Sequence, residues 1–291
     1  MTVAPERPVQ SEPHTAPGSL WLDLTRTCQL RCEHCFNESS PQGTHGTMSP
    51  AHWLAAIDQA AAAGIKHVQL IGGEPTMHPA APQLISYARE VGMAMEVYSN
   101  LVHMPTGWWD LLKREGSSLA TSYYSGNADE HNKITGRNTH KRTRDNIKRA
   151  VALGIPIRVG IVGIRDSQCV ADAQRDLQNL GVLRIRVDRV RPYGRAAHGE
   201  EPSTAGLCGN CGDGRASIGP DGAVSPCVFS TWMKVGNVQE QGLGAILVGQ
   251  KMADAYAAIQ SAARRDGCDP GCDPNAACSP GTPPSDCDPR N

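Results

Sequence analysis

Three cysteines constrain this chain more than any other feature. Cys28, Cys32 and Cys35 lie in the run Cys28-Gln-Leu-Arg-Cys32-Glu-His-Cys35-Phe36, a C-x3-C-x2-C spacing just after the alternating stretch Leu20-Trp-Leu-Asp-Leu24. The spacing is too tight for structural disulfides, and it leaves an odd thiol. Thiolates are the usual ligands of iron–sulfur clusters, and three on one loop hold three irons of a cubane. The fourth iron then lacks a protein ligand, and chemistry happens at such an open position. Zinc is the competing reading. Structural zinc takes four ligands, and His34 completes such a site only by folding back between its own neighbours.

The bulk properties narrow the class. Across 291 residues, 28 basic residues face 29 acidic ones, so the net charge of −1 favours neither nucleic acid nor an anionic membrane. No apolar run is long enough to span a bilayer. The first 19 residues carry Pro5, Pro8, Pro13 and Pro17 with no apolar core, which reads as a disordered tail rather than a secretory signal. Eleven cysteines without such a signal argue for metal over disulfides and place the chain in the cytoplasm.

From Leu20 the chain alternates strand and helix signals. Strands are expected over Leu20–Leu24, His67–Ile71, Met93–Tyr98, Ser118–Tyr123, Pro156–Ile164 and Leu183–Val187. Helices are expected from Ser49-Pro50 to Ala63, and over Ala81–Val91, Trp108–Glu115, Thr139–Leu153 and Val170–Leu180. Alternation of this kind makes parallel strands with crossover helices. Six such units predict an α/β fold, a partial (β/α)6 barrel over 20–198. Sites in such folds sit at the carboxyl ends of the strands, where the cysteine loop falls. From Gly199 the chain turns Gly-, Pro- and Cys-rich, a small α+β extension over 199–291. It holds a hairpin around Pro220-Asp221-Gly222 and a helix from Leu243 to Ala263. The segment from Gly267 to Asn291 has too few core formers to fold by burial and needs a metal staple.

The cysteine run, with His34 before Cys35 and Phe36 after it, resembles the radical S-adenosylmethionine (SAM) superfamily, and the likeness extends from Leu20 to Arg195. It implies that a [4Fe–4S] cluster on Cys28, Cys32 and Cys35 binds SAM at its open iron. It also implies reductive cleavage of SAM to a 5′-deoxyadenosyl radical that abstracts a substrate hydrogen, with flavodoxin or ferredoxin as the kind of reductant. The cofactor carries the hard chemistry in such enzymes. Gly72-Gly73-Glu74-Pro75, after the second strand, matches the family's segment for the SAM amino group, whereas an ordinary strand-to-loop turn is the plain reading. Ser99 and Asn100 end the third strand, where the family contacts the ribose. Ser122 resembles the serine of the family's Ser-x-Asp-Gly segment, although the aspartate is missing. In Asp129-Glu-His131-Asn-Lys-Ile-Thr135-Gly136-Arg137, Thr135 stands in the place of the family's arginine, and Arg137 is the residue left to reach the SAM carboxylate.

The second cysteine set, Cys208, Cys211, Cys227, Cys268, Cys272, Cys278 and Cys287, resembles the SPASM extension, which implies one or two auxiliary [4Fe–4S] clusters. These seven are one short of the eight that two all-thiolate clusters require. The tail reads C-x3-C-x5-C-x8-C, and a zinc knuckle is its alternative. Cys169 is expected to be a buried apolar residue, with a hydrogen-atom donor as the sharper option. His131 and His198 read as ordinary surface or loop histidines. The basic run Lys141, Arg142, Arg144, Lys148 and Arg149 reads as a solvated helix face, with docking of an acidic peptide as the alternative.

The expected function is therefore that of a radical SAM enzyme, with no single residue marked as catalytic. Its substrate is expected to be a ribosomally made precursor peptide that it modifies or crosslinks. The runner-up is an aminoglycoside or sugar dehydrogenase or epimerase, and the third reading is a non-catalytic metal-binding protein. The short lead-in leaves no room for a winged-helix leader-recognition domain, so a leader is expected to meet the barrel edge or a separate protein.

Overall fold

The computed structural model describes residues 18–165 and 168–265, and the alternation read from the sequence appears in it directly. Strand β1 (Ser19–Asp23) leads through the cysteine loop to helix α1 (Pro50–Ala62) and β2 (His67–Ile71). Next come α2 (Ala81–Glu90), β3 (Ala94–Tyr98), α3 (Trp108–Leu112) and β4 (Ser117–Tyr123). Helices α4 (Ala128–Thr135) and α5 (His140–Ala152) precede β5 (Ile157–Gly163), α6 (Val170–Asn179) and β6 (Arg184–Arg189). The extension adds β7 (Arg215–Ile218), β8 (Ala223–Ser225), β9 (Gly236–Asn237), α7 (Leu243–Leu247) and α8 (Gln250–Arg265).

Local chemistry explains the boundaries. Ser49 caps α1: its Oγ accepts the His52 N–H, and the His52 ring accepts the Ser49 N–H in return, so histidine plays the part usually taken by Glu or Gln. Trp53, Ala56, Ile57 and Ala60 then fall on one buried face. Helix α4 is absent from the sequence reading. Asn127 caps it by accepting the Asp129 and Glu130 N–H groups, and Gly136 ends it in the left-handed conformation. The single helix expected from Leu243 to Ala263 is broken at Val248-Gly249, because α7 must turn to seat Leu243 and Ile246 in the core.

The strand order is β6-β5-β4-β3-β2-β1-β7-β8-β9. Strands β1 to β6 run parallel, each beside its sequence neighbour. The hairpin around Pro220-Asp221-Gly222 forms as expected. Its first strand, however, lies parallel to β1, with Ser19 opposite Arg215, so the extension prolongs the barrel sheet. One large cluster, including Leu22, Trp53, Leu70, Ile85, Val97 and Ile161, fills the space between sheet and helices. Among the described residues no helix is long and apolar enough to cross a membrane.

The sheet also carries a buried polar knot. Arg158 of β5 donates to both oxygens of Glu96 on β3 at 2.8 and 2.6 Å, and Gln69 of β2 donates to the same carboxylate. The Tyr98 ring lies 5.5 Å from the guanidinium. Burial disfavours the Glu96 carboxylate, but the Arg158 charge and hydrogen bonds outweigh it and hold that carboxyl below its usual range. Breaking such a pair leaves one charge buried and unpaired. We expect Arg158→Met alone to cost about 3–5 kcal/mol in urea unfolding, and the Glu96→Leu/Arg158→Met pair to recover most of it.

Candidate metal centre and cofactor cleft

Between β1 and α1 the chain has almost no regular structure, yet it is closely tied down. The Arg26 N–H bonds Thr44 O, Ser40 N–H bonds Arg26 O, and Cys28 N–H bonds Ser40 O at 3.0 Å. The other side of the loop rests on the segment after β2: Gly73 N–H bonds Thr25 O at 2.7 Å and Glu74 N–H bonds Thr27 O at 3.0 Å. The approach is so close that a Cβ on Gly73 would stand 2.3 Å from Thr27 O, and one on Gly72, at φ +131°, 2.7 Å from Thr25 O. Only glycine fits there. Arg195 closes the loop from above, donating from Nε to Cys32 O at 2.7 Å and from its guanidinium end to Ser39 O.

Cys28, Cys32 and Cys35 all face one cleft of about 980 Å³, counting its open mouth. Among the described residues no three His, Cys, Asp or Glu side chains gather round a point as a single metal ion requires. The cleft lies at the carboxyl ends of the strands. Gly72, Gly73, Asn100 and Ser122 line it, with Tyr124 and His131 on one wall and Asp188 and Arg191 on another. The Tyr124 ring sits edge-on between His34 and His131, at 4.9 and 5.4 Å. Both histidines bury an Nδ1 that has no partner. Burial pushes them down, His34 to about 4 and His131 to about 3, so both rings are neutral.

Cys208, Cys211 and Cys227 line a smaller cavity beside the first, and Arg191 and Phe229 face both. Cys211 Sγ lies 3.1 Å from Cys227 Sγ, which also accepts the Phe229 N–H at 3.3 Å. Hydrogen bonding with Cys208 and with Cys227, and then burial, raise the Cys211 thiol well above its ordinary value. Cys268, Cys272, Cys278 and Cys287 lie outside the described residues.

Residues 22–169, half of the chain, match the radical SAM superfamily. The chain belongs to that superfamily. Residues 208–278 match the SPASM iron–sulfur cluster-binding domain. The PqqA peptide cyclase of Methylobacterium sp. (strain 4-46) is 31% identical over 188 residues, covering 62% of this chain and 48% of that protein. The Fe-coproporphyrin III synthase of Methanosarcina barkeri is 27% identical over 177 residues, 58% of this chain and 43% of that one. The chain thus spans about half the length of the curated relatives it matches. Streptococcus suis SuiB, solved with its precursor peptide SuiA, superimposes with a TM-score of 0.72 at 16% identity, covering 94% of this chain and 76% of that one. At that identity the likeness establishes the shared fold.

The donor set fits the cofactors of a radical SAM domain. Three free thiols line the cleft, Gly72 and Gly73 line it with them, and the rings of His34 and His131, each with a buried Nδ1 that has no hydrogen-bond partner, line the same space. Burial, and then the Glu74 carboxylate, push the Cys28 thiol up to about 12, and burial pushes Cys32 further. Thiols so reluctant to ionise become thiolates when a bound cation stabilises them.

The structure sorts the residues singled out in the sequence. Gly72, Gly73, Asn100 and Ser122 reach the cleft. Asn100 Nδ2 lies 3.7 Å from Cys28 Sγ, and Ser122 Oγ bonds Tyr98 Oη at 2.8 Å. Glu74 and Pro75 do not line the cleft. The Glu74 carboxylate is fully buried and accepts from Asn100 N–H, Thr76 N–H and Thr76 Oγ, so it braces the loop. Ser99 is buried beneath, accepting the Leu101 N–H. Arg137 is exposed and lies off the cleft wall, because Gly136 turns the chain away after α4. Thr135 reaches the wall, and its hydroxyl lies within hydrogen-bond reach of His131 O, Arg137 O and Thr139 Oγ.

Two expectations are corrected. Cys169 is exposed, because it precedes α6 instead of lying within it. His131 is not a surface residue. It is buried on α4, the helix that was not foreseen. The basic run on α5 lies on a solvated face, as expected: Lys141, Arg142, Lys148 and Arg149 are exposed, and only Arg144 is drawn in, gripping Asp176 through two nitrogens. His198 sits exposed in a loop, as expected.

Asp188 escaped the sequence reading, although its place at the end of β6 was the available signal. Among the described residues it is the only carboxylic acid on the cleft wall. Burial raises it from 3.8 to about 6, against opposing pulls from Arg191 and Arg189. The folded protein therefore binds this proton more tightly than the unfolded chain. Its contribution to stability is complete below pH 3.8 and is lost as pH rises through about 6. Asp188→Asn should flatten the fall in stability across that window, measured as the shift in urea midpoint between its two ends. An unchanged slope contradicts the assignment.

Proposed function

We propose that the chain cleaves SAM reductively and uses the resulting radical to modify or crosslink a ribosomally made peptide. The observation that carries this reading is the placing of three free thiols beside Gly72 and Gly73 on the wall of one cleft at the carboxyl ends of the strands. The likeness to a peptide cyclase at 31% identity supports the same substrate class.

In this reading residues 20–198 form the SAM-cleaving barrel and 199–291 the auxiliary cluster domain. Cys28, Cys32 and Cys35 would hold a [4Fe–4S] cluster, which when bound would supply the electron that cleaves a carbon–sulfur bond of SAM. Gly72 and Gly73 supply a close backbone wall for SAM, Asn100 orients Cys28, and Ser122 and Tyr98 offer hydroxyls to the bound molecules. Glu74 keeps the glycine segment seated. Cys208, Cys211 and Cys227, with cysteines among Cys268, Cys272, Cys278 and Cys287, hold one or two auxiliary clusters. Arg191 and Phe229, which line both cavities, support a place for that site next to the cleft. Asp188 presents a carboxyl at the cleft wall that holds its proton up to about pH 6. A small ferredoxin or flavodoxin is the reductant.

Two measurements test this. The Cys28→Ala/Cys32→Ala/Cys35→Ala variant, reconstituted without oxygen, should keep its auxiliary iron and make no 5′-deoxyadenosine. Continued 5′-deoxyadenosine formation sinks the central assignment. Mass spectrometry of a precursor peptide encoded beside this gene should show the loss of two hydrogens after co-expression. An unmodified peptide, together with 5′-deoxyadenosine formed only with an aminosugar, moves the assignment to a small-molecule enzyme.

A further inference from the structure

Strand β6 ends the sheet, and among the described residues no strand pairs with its outer edge. Its hydrogen-bond phase is fixed by the Val190 N–H, which bonds Gly163 O on β5. Backbone groups alternate sides along a strand, so Arg184, Arg186 and Asp188 pair inward with β5. Ile185 and Val187 then turn their N–H and C=O groups to the open edge. The free stretch stops at the cleft, where Asp188 Oδ1 takes the Arg189 N–H at 2.7 Å.

The side chains on this edge are unusual for an uncovered strand. Leu183 is 94% exposed and Val187 48%. Among the described residues Arg184, Arg186 and Arg189 form no ion pair, whereas Arg144, Arg158 and Arg165 each hold a carboxylate. Charge on an edge strand also guards against aggregation. Guarding does not account for the two exposed apolar side chains or for the way the edge leads into the site. Arg189, Val190 and Arg191, which follow directly, line the cleft.

We propose that the outer edge of β6 docks an extended, acidic segment of the peptide substrate, which pairs with Ile185 and Val187 and so directs the following residues into the cleft. Backbone pairing supplies the register, Leu183 and Val187 take apolar side chains, and the arginines select for Glu and Asp. The proposal rests on the peptide reading of the function for its occupant, but its test does not depend on turnover.

Fluorescence anisotropy with the intact protein and three short labelled peptides provides that test: one alternating Glu and Val, one alternating Lys and Val, and the Glu–Val sequence N-methylated at alternate residues. The Glu–Val peptide should bind at least about tenfold more tightly than the other two, a loss on the scale of one or two ladder bonds. Val187→Pro removes an outward N–H without touching the β5 ladder and should weaken Glu–Val binding about as much as N-methylation does. Arg184→Glu/Arg186→Glu should reverse the charge preference. Equal binding of the Glu–Val and Lys–Val peptides, or undiminished binding of the N-methylated one, overturns the proposal. The N-methylated peptide keeps the test valid if Val187→Pro does not fold. Edge binding without modification of any co-expressed peptide leaves the docking edge standing and sinks the peptide-maturation reading instead.

Discussion

The loop that carries the cysteines depends on a contact between two stretches of backbone. The glycine segment after β2 lies against the loop after β1 with no room for a single side-chain carbon at Gly72 or Gly73. That proximity lets amide and carbonyl groups pair across the gap and so order a long irregular segment without a helix or strand of its own. Glu74 then locks the arrangement from behind. Its buried carboxylate is satisfied by Asn100 and Thr76, so the ends of β2 and β3 are tied to the same point. Arg195 does the same from the far side of the barrel. The three thiols are positioned by neighbours that contribute no ligand.

Beneath this rim the sheet is tied together by charge as well as by hydrocarbon. The Glu96–Arg158 pair spans β3 and β5, and Gln69 extends it to β2. A buried pair is weak evidence for stability, since packed apolar side chains do as well. It does enforce register, because sliding any of these strands by one residue turns a charge toward the helices. Register matters here, because Tyr98, Ser122 and Asp188 reach the cleft only from the inward positions at the ends of their strands.

The two cysteine groups are neighbours because β7 adds to β1. This parallel pairing brings the extension against the barrel and leaves Arg191 and Phe229 facing both cavities. The extension covers one side of the sheet, and β6 on the other side stays open among the described residues. One edge of the sheet thus leads to the auxiliary thiols and the other to solvent, with the cleft between them.

Much of this was legible in the chain. The strand and helix alternation, the Ser49-Pro50 helix start, the Pro220-Asp221-Gly222 turn and the place of the cysteine loop after the first strand all follow from local pattern, because periodicity and capping act over a few residues. Gly72 and Gly73 were legible as a close approach, though not what they approach. What the tertiary structure decided involves partners far apart in sequence. The place of Arg137 depended on where Gly136 turned the chain. The burial of His131 depended on a short helix whose core face is too small to show as a pattern. The bracing role of Glu74 depended on Asn100, which follows β3 and donates its N–H to the Glu74 carboxylate. The sequence determined which chemical groups this protein brings to its site. Which of them reach the cleft, and which brace it, was decided by packing, because only the folded chain settles which buried polar group finds its partner inside the protein and which is left to face the cleft.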